Sequence, residues 1–135
     1  MLGTNDANKI WWEGERNSGF EGSVAEEFIS NYKKLITEAR ALESKPKVYV
    51  VTPLPCFPEN AKDEKKQSVI DRNAHLVNDV LPLVRKIAND TECDLIDIHT
   101  GMSAEKDTCT DGIHFSKKGY QKLSEIIAKH LIKAE

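Results

Sequence analysis

Three polar residues stand where they could share one reaction: Asn5 in Gly3-Thr4-Asn5-Asp6, and the pair Asp111 and His114 in Asp111-Gly112-Ile113-His114. An imidazole titrates near neutral pH, so His114 can take a proton from a nucleophile and return it to a leaving group. A carboxylate three residues earlier in a turn can reach the ring, fix its tautomer and stabilise its charged form. The Asn5 amide can donate to an oxygen that gains negative charge during a reaction. Each fragment also has a plainer use. Asn-Asp serves equally as a turn or a helix start, and Asp-Gly-Ile-His as a turn that carries a surface histidine. Gly3 permits a tight turn, and Asp6 is expected to hold the loop rather than join the chemistry.

The remaining reactive side chains point elsewhere. His75 and His130 fall within helical patterns and read as packing or solvent residues. His99 ends an expected strand, where a structural or substrate-edge role outweighs a catalytic one. No two histidines have metal-ligand spacing, so no metal is expected, and no cofactor. Ser18, Ser23, Ser30, Ser44, Ser68, Ser103, Ser116 and Ser124 are available, but none follows a strand in a Gly-Asp-Ser turn. Ser23 and Ser116 are better explained as helix caps. Cys56 and Cys109 lie near the expected site, yet nothing in the sequence lowers their pKa enough to make thiolate nucleophiles. Cys56, Cys93 and Cys109 are odd in number and lack paired spacing, so they read as free thiols, which leans towards a reducing, cytoplasmic setting.

These residues need elements to position them. Ser23-Val24-Ala25-Glu26 is a capping box, and Val24, Phe28, Tyr32, Leu35, Ile36, Ala39 and Leu42 follow at helical spacing, predicting a helix from Val24 to Leu42. Val48-Tyr49-Val50-Val51 is the continuous β-branched run of a parallel strand buried on both faces, stopped by Thr52-Pro53. Val69 to Ala88 keeps a helical period, with Pro82 marking a kink or a second start. Leu95 to Ile98 predicts the next strand, and Ser116 caps a last helix whose apolar face holds Tyr120, Leu123, Ile126, Ile127 and Leu131. Strands alternating with helices imply βαβ units and an α/β fold, with ligands beyond the carboxyl ends of the strands. Asn5, Thr52 and Asp111 all fall in that zone, and the strand before Gly3 is expected upstream of Met1.

Composition narrows the partners. The 135 residues are 39% hydrophobic and 30% charged, the balance of one globular domain. The net charge is −3 with cations scattered among acids, so no basic stripe exists for a nucleic acid. No apolar run approaches the ~20 residues of a membrane span, and no signal-peptide pattern opens the chain.

Taken with their order, these blocks resemble the SGNH (GDSL-type) hydrolases. Residues 1–6 are similar to the G-x-N-D block of that family and residues 111–114 to its D-x-x-H block, with further likeness at 47–55, 94–100 and Gly119-Tyr120. The resemblance implies a three-layer αβα, flavodoxin-like parallel sheet over residues 1–135 and a serine esterase that cleaves a small ester, an acetyl or other short acyl group on a carbohydrate or lipid. It assigns Asn5 to the oxyanion, His114 to the general base and Asp111 to its carboxylate partner. The family signature is Ser, Gly, Asn and His, and this chain carries only the last two. The expected account is an N-terminally incomplete domain, about two βα units or roughly 60 residues short, inactive alone for want of the serine. A lost strand leaves an open sheet edge that invites pairing with another copy. A binding module or pseudoenzyme on the same fold is the alternative. A receiver- or cofactor-type flavodoxin domain shares the architecture but explains neither block.

Overall fold

A computed structural model describes residues 1–14 and 19–133; Ser18 lies outside them. The elements run in chain order as α1 (Lys9–Glu13), α2 (Val24–Arg40), β1 (Tyr49–Val51), α3 (Asp63–His75), a π-helical turn (Leu76–Val80), α4 (Leu81–Asp90), β2 (Asp94–Ile96), α5 (Ile98–Gly101) and α6 (Lys117–Lys133). β1 and β2 pair in parallel, with Tyr49, Val50 and Val51 opposite Asp94, Leu95 and Ile96. The fold is α/β, and a parallel pair joined through α3 and α4 is the crossover connection that the alternating pattern predicts.

The start of α2 is fixed locally. The Glu26 amide donates to the Ser23 hydroxyl at 3.2 Å and the Ser23 amide donates to the Glu26 carboxylate at 2.7 Å, so two otherwise unpaired helix-end donors are satisfied. Phe28, Tyr32 and Ile36, spaced by four, bury one face. Leu35 and Leu42, expected on that stripe, are exposed. Leu35 precedes Ile36 by one position and so falls on the flank, while Leu42 lies past the last helical residue, Arg40.

Strand polarity sorts the core into two clusters. Val50 and Leu95 pack with Phe28, Tyr32, Val84, Ile87 and Ala88. Tyr49, Val51 and Ile96 pack with Ile98, Met102, Leu123, Ile126 and Ile127. Successive strand side chains point to opposite faces, so three residues of β1 join both clusters. Each fully buried aliphatic side chain contributes roughly 1.5–3 kcal/mol.

Three boundaries differ from the sequence expectation. Val48 stays outside β1, and the helical segment expected from Val69 begins already at Asp63. Near Pro82 a second helical segment starts, one of the two outcomes expected there: α4 begins at Leu81 with Pro82 in its first turn. Just before it the Leu81 amide donates to the carbonyl of Leu76, five residues back, and the widened turn carries the chain into α4. Proline has no N–H, so the carbonyl of Asn78 loses its helical donor, and a π-turn just before Pro82 accommodates that break. β2 ends at Ile96 rather than Ile98. Asp97 accepts from the Thr100 amide at 3.2 Å and caps α5, which places His99 in a helical turn rather than at a strand end.

Asp97 ties the carboxyl ends of both strands together. It accepts from the Thr52 hydroxyl at 3.1 Å, from Arg85 at 2.8 Å and from the Thr100 hydroxyl at 2.8 Å. Burial alone would raise its pKa, but the Arg85 guanidinium and the Thr100 donors outweigh it and hold the carboxyl at about 2. A folded-state pKa below the unfolded ~3.9 contributes stability that is full above pH ~4 and lost as pH falls towards 2. Asp97→Asn is therefore expected to cost about 1–2 kcal/mol at pH 7. Its melting deficit relative to the parent should shrink steadily between pH 4 and 2. A deficit independent of pH over that interval would contradict this account.

Candidate active site

The Asp111 loop is built before its chemistry is. Cys109 and Phe115 form an antiparallel bridge, the Ser116 amide donates to the Thr108 carbonyl at 2.7 Å, and the Thr110 amide donates to the His114 carbonyl at 2.7 Å. The Asn60 side chain donates to the carbonyls of Lys106 and Cys109 at 2.6 and 2.9 Å, pinning the loop from outside. Gly112 has φ +91°, and a Cβ there would lie 2.9 Å from the Phe57 carbonyl oxygen. Its own carbonyl accepts from the Phe57 amide at 2.8 Å. Only glycine meets both demands, and the result fixes the turn to the segment that follows β1. The Ser116 hydroxyl accepts weakly from the Gly119 amide, 3.4 Å away, at the head of α6.

Within this loop Asp111 and His114 meet. One Asp111 oxygen accepts from the backbone amides of Ile113 and His114 at 3.0 and 2.8 Å, and the other lies 2.8 Å from His114 Nδ1. Burial would raise the Asp111 pKa, but the His114 amide, the His114 ring and the Ile113 amide together hold it at about 2. An ionised carboxylate only accepts, so in the neutral ring Nδ1 carries the proton and Nε2 the lone pair. The dyad thus presents a base outward. It is open to solvent, with 70% of the His114 side chain and 52% of the Asp111 side chain exposed.

Asn5 lies in a separate turn. The Ala7 amide donates to the Gly3 carbonyl at 2.9 Å, and Asn8, whose amide donates to the Asn5 carbonyl, caps the short α1. Gly3 has φ +121°, and a Cβ there would sit 2.7 Å from Val80 Cγ1 and 3.4 Å from Pro53 Cγ. The turn is thereby seated on Pro53 and the π-turn. The Asn5 side chain is exposed and makes no hydrogen bond among the described residues. The Gly3–Asn5 turn and the Asp111 loop share one support, the Thr52–Phe57 segment beyond β1, touched at Pro53 by the first and at Phe57 by the second. This is the carboxyl end of the strand, where the sequence placed the site.

The sequence passed over the residue that spans the two parts. Arg72 of α3 donates to the Thr4 carbonyl at 2.7 Å and lines, with Asp111 and Ile113, a cleft of about 540 Å³. A lone arginine in a highly charged stretch carries no local signal for such a tie.

The other candidates are accounted for by packing. The His99 amide donates to the Thr52 hydroxyl at 2.9 Å, its Nδ1 lies 3.3 Å from the Pro53 carbonyl, and burial lowers its pKa. His75 lies between Asp79 at 2.8 Å and Glu13 at 3.2 Å and stacks on Trp12; His130 packs edge-on to Tyr49. All three cysteines are free thiols. Burial pushes Cys56 to about 11 and raises Cys109, which makes both poor thiolates at neutral pH. No helix among the described residues is long and apolar enough to cross a membrane.

Comparison with known proteins gives two matches. The profile of the GDSL-like lipase/acylhydrolase family matches residues 1–122. An acetylxylan esterase of Xylanibacter ruminicola is 28% identical over 137 aligned residues, which cover 94% of this chain and 26% of that protein. The chain therefore spans about a quarter of the length of this curated relative.

Proposed function

This chain belongs to the GDSL-like lipase/acylhydrolase family, and from that premise we propose that it supplies the oxyanion donor and the base pair of a serine esterase. The substrate we assign is a short-chain ester, acetyl foremost, on a carbohydrate or lipid; the acetylxylan esterase relative supports the acetyl choice. The observation that carries the reading is the Asp111–His114 bond, set in a loop that shares its support with the Gly3–Asn5 turn. Residues 1–135 form one domain of a three-layer αβα, flavodoxin-like fold in this proposal. The nucleophilic serine and its strand are contributed by polypeptide outside the 135 residues, and without them the chain is inactive. The outer edges of the two-stranded sheet are where such a strand, or a second copy of the chain, would add.

In the proposed reaction, His114 Nε2 takes the proton of the serine hydroxyl as the oxygen attacks the ester carbonyl. The Asn5 amide donates to the oxyanion that forms. His114 then returns the proton to the departing alcohol, leaving an acyl-serine, and repeats both steps with water to release the acid. Asp111 holds the ring in the Nδ1-protonated tautomer throughout and balances its charge when Nε2 is protonated.

Asn5 gives the first test. In a form of the protein that includes the serine, Asn5→Ala is expected to lower kcat on p-nitrophenyl acetate about 100-fold or more, roughly 3 kcal/mol of barrier, with a smaller change in KM. Its side chain supports nothing else, so the melting temperature should not move. A kcat within threefold of the parent would remove Asn5 from the oxyanion role. A non-catalytic binding module is the second reading, favoured by one observation: no serine among the described residues bonds His114.

A further inference from the structure

The cleft beside the dyad carries a charge pattern that the proposed chemistry does not use. Lys33, Lys47, Arg85, Lys86 and Lys122 each face a carboxylate within 2.8 Å. Lys62, Lys65 and Arg72 converge on the cleft and face none among the described residues. Two acids share the wall. Asp111 is committed to His114 and two backbone amides, which leaves Glu64 against three cations.

Arg72 is the anchor of this arrangement. Nη1 donates to the Thr4 carbonyl, and Nε is enclosed without a partner among the described residues. The guanidinium is thereby held in place with no ion pair and no acceptor for its remaining amino group among the described residues. A fixed, half-buried guanidinium with no counter-charge has unfavourable solvation that a bound oxyanion offsets, and its planar fork matches a carboxylate. Lys62 and Lys65 at the exposed start of α3 add attraction along the approach. Val69 and Ile113 give the cleft apolar wall against which a sugar ring can lie.

Resting on the ester hydrolase reading, we propose that this cleft binds a carboxylate carried by the substrate away from its ester, so that the substrate class is an acylated acidic saccharide. Asp111 and not His114 lines the cleft. The anion therefore sits to the carboxylate side of the dyad, clear of Nε2, and positions the substrate through remote binding.

Calorimetric titration of a form of the protein that includes the serine with unacylated trigalacturonate, xylotriose and inorganic phosphate tests this without any turnover. Trigalacturonate should bind about tenfold or more tighter than xylotriose at low salt, and the gap should narrow in 0.5 M NaCl, where the screening length falls to a few ångströms. Arg72→Gln should abolish the preference and Arg72→Lys should retain only part of it, because charge without the fork is a poorer match. Lys65→Gln, at an exposed position that leaves the Thr4 contact intact, should weaken trigalacturonate about threefold and leave xylotriose unchanged. Equal affinities for the two trisaccharides, or a preference that survives Arg72→Gln, would overturn the proposal. So would phosphate binding tighter than trigalacturonate, which would make the cleft a phosphate site. Hydrolysis of p-nitrophenyl acetate by a serine-containing form reports separately on the ester hydrolase reading, so either can fail alone.

Discussion

Replacing His114 by alanine is expected to reduce kcat on an acetyl ester by at least about four orders of magnitude in a form of the protein that includes the serine. The ring nitrogen Nε2 has no substitute nearby. His99 is engaged with Thr52 and Pro53, and His75 lies between Glu13 and Asp79 and stacks on Trp12. The substitution should spare the fold. Most of the His114 side chain is in solvent, and the bonds that hold the loop use its backbone: the amide donates to Asp111 and the carbonyl accepts from the amide and hydroxyl of Thr110. Alanine keeps all of these. A melting temperature within a degree or two of the parent, with turnover gone, separates loss of the base from loss of structure. Near-normal kcat would show that the proton is handled elsewhere and would sink the assignment of this loop.

The exposure of the dyad bears on the size of that effect. Electrostatic catalysis is strongest where water is excluded, and here more than half of each side chain faces solvent. In the proposed assembly the serine-bearing segment and the substrate cover this surface. The single-residue effects are therefore expected in the covered, serine-containing form.

Much of this site was legible from local pattern, and the rest was not, for reasons that individual residues show. Ser23 and Glu26 announce a helix start because both partners of the capping box lie within four residues. Asp111 and His114 are similarly local, so three residues of spacing were enough to predict their contact. Val50 could be assigned to a buried parallel strand because β-branched runs bounded by proline have few other uses. Asp97 misled for a physical reason: a carboxylate within an apolar run reads as the solvent face of a strand. Its bonds to Thr52 and Arg85 instead end the strand and start a helix. Arg72 left no trace at all. It follows the charged stretch Lys62-Asp63-Glu64-Lys65-Lys66, which reads as a solvated helical face, and its partner Thr4 is 68 positions away. Contacts of that separation depend on how α3 packs against the rest of the fold, which local periodicity does not reveal.

Asp111→Asn is expected to be nearly as damaging as loss of the base, although it removes one charge and almost no volume. One oxygen of Asp111 accepts from two backbone amides, at 3.0 and 2.8 Å. In the asparagine variant the same position must again be an oxygen, since an NH2 there would face two donors. The amide is thereby locked with its nitrogen towards His114 Nδ1, where the parent has an acceptor at 2.8 Å. A donor facing Nδ1 forces the ring proton onto Nε2, which is then no longer a base. The expected loss in kcat is about 10⁴. It should not add to that of His114→Ala, because the double variant has no imidazole left to misprotonate. Nitrogen-15 spectra of the imidazole give a readout that simple destabilisation does not move: the parent should be protonated at Nδ1 and the variant at Nε2 at alkaline pH. Two results would refute the argument, a ring that stays Nδ1-protonated in the variant or a kcat within tenfold of the parent. The first would mean that the two backbone amides do not set the orientation of residue 111, and the second that neither the charge nor the orientation of the carboxylate is needed by His114.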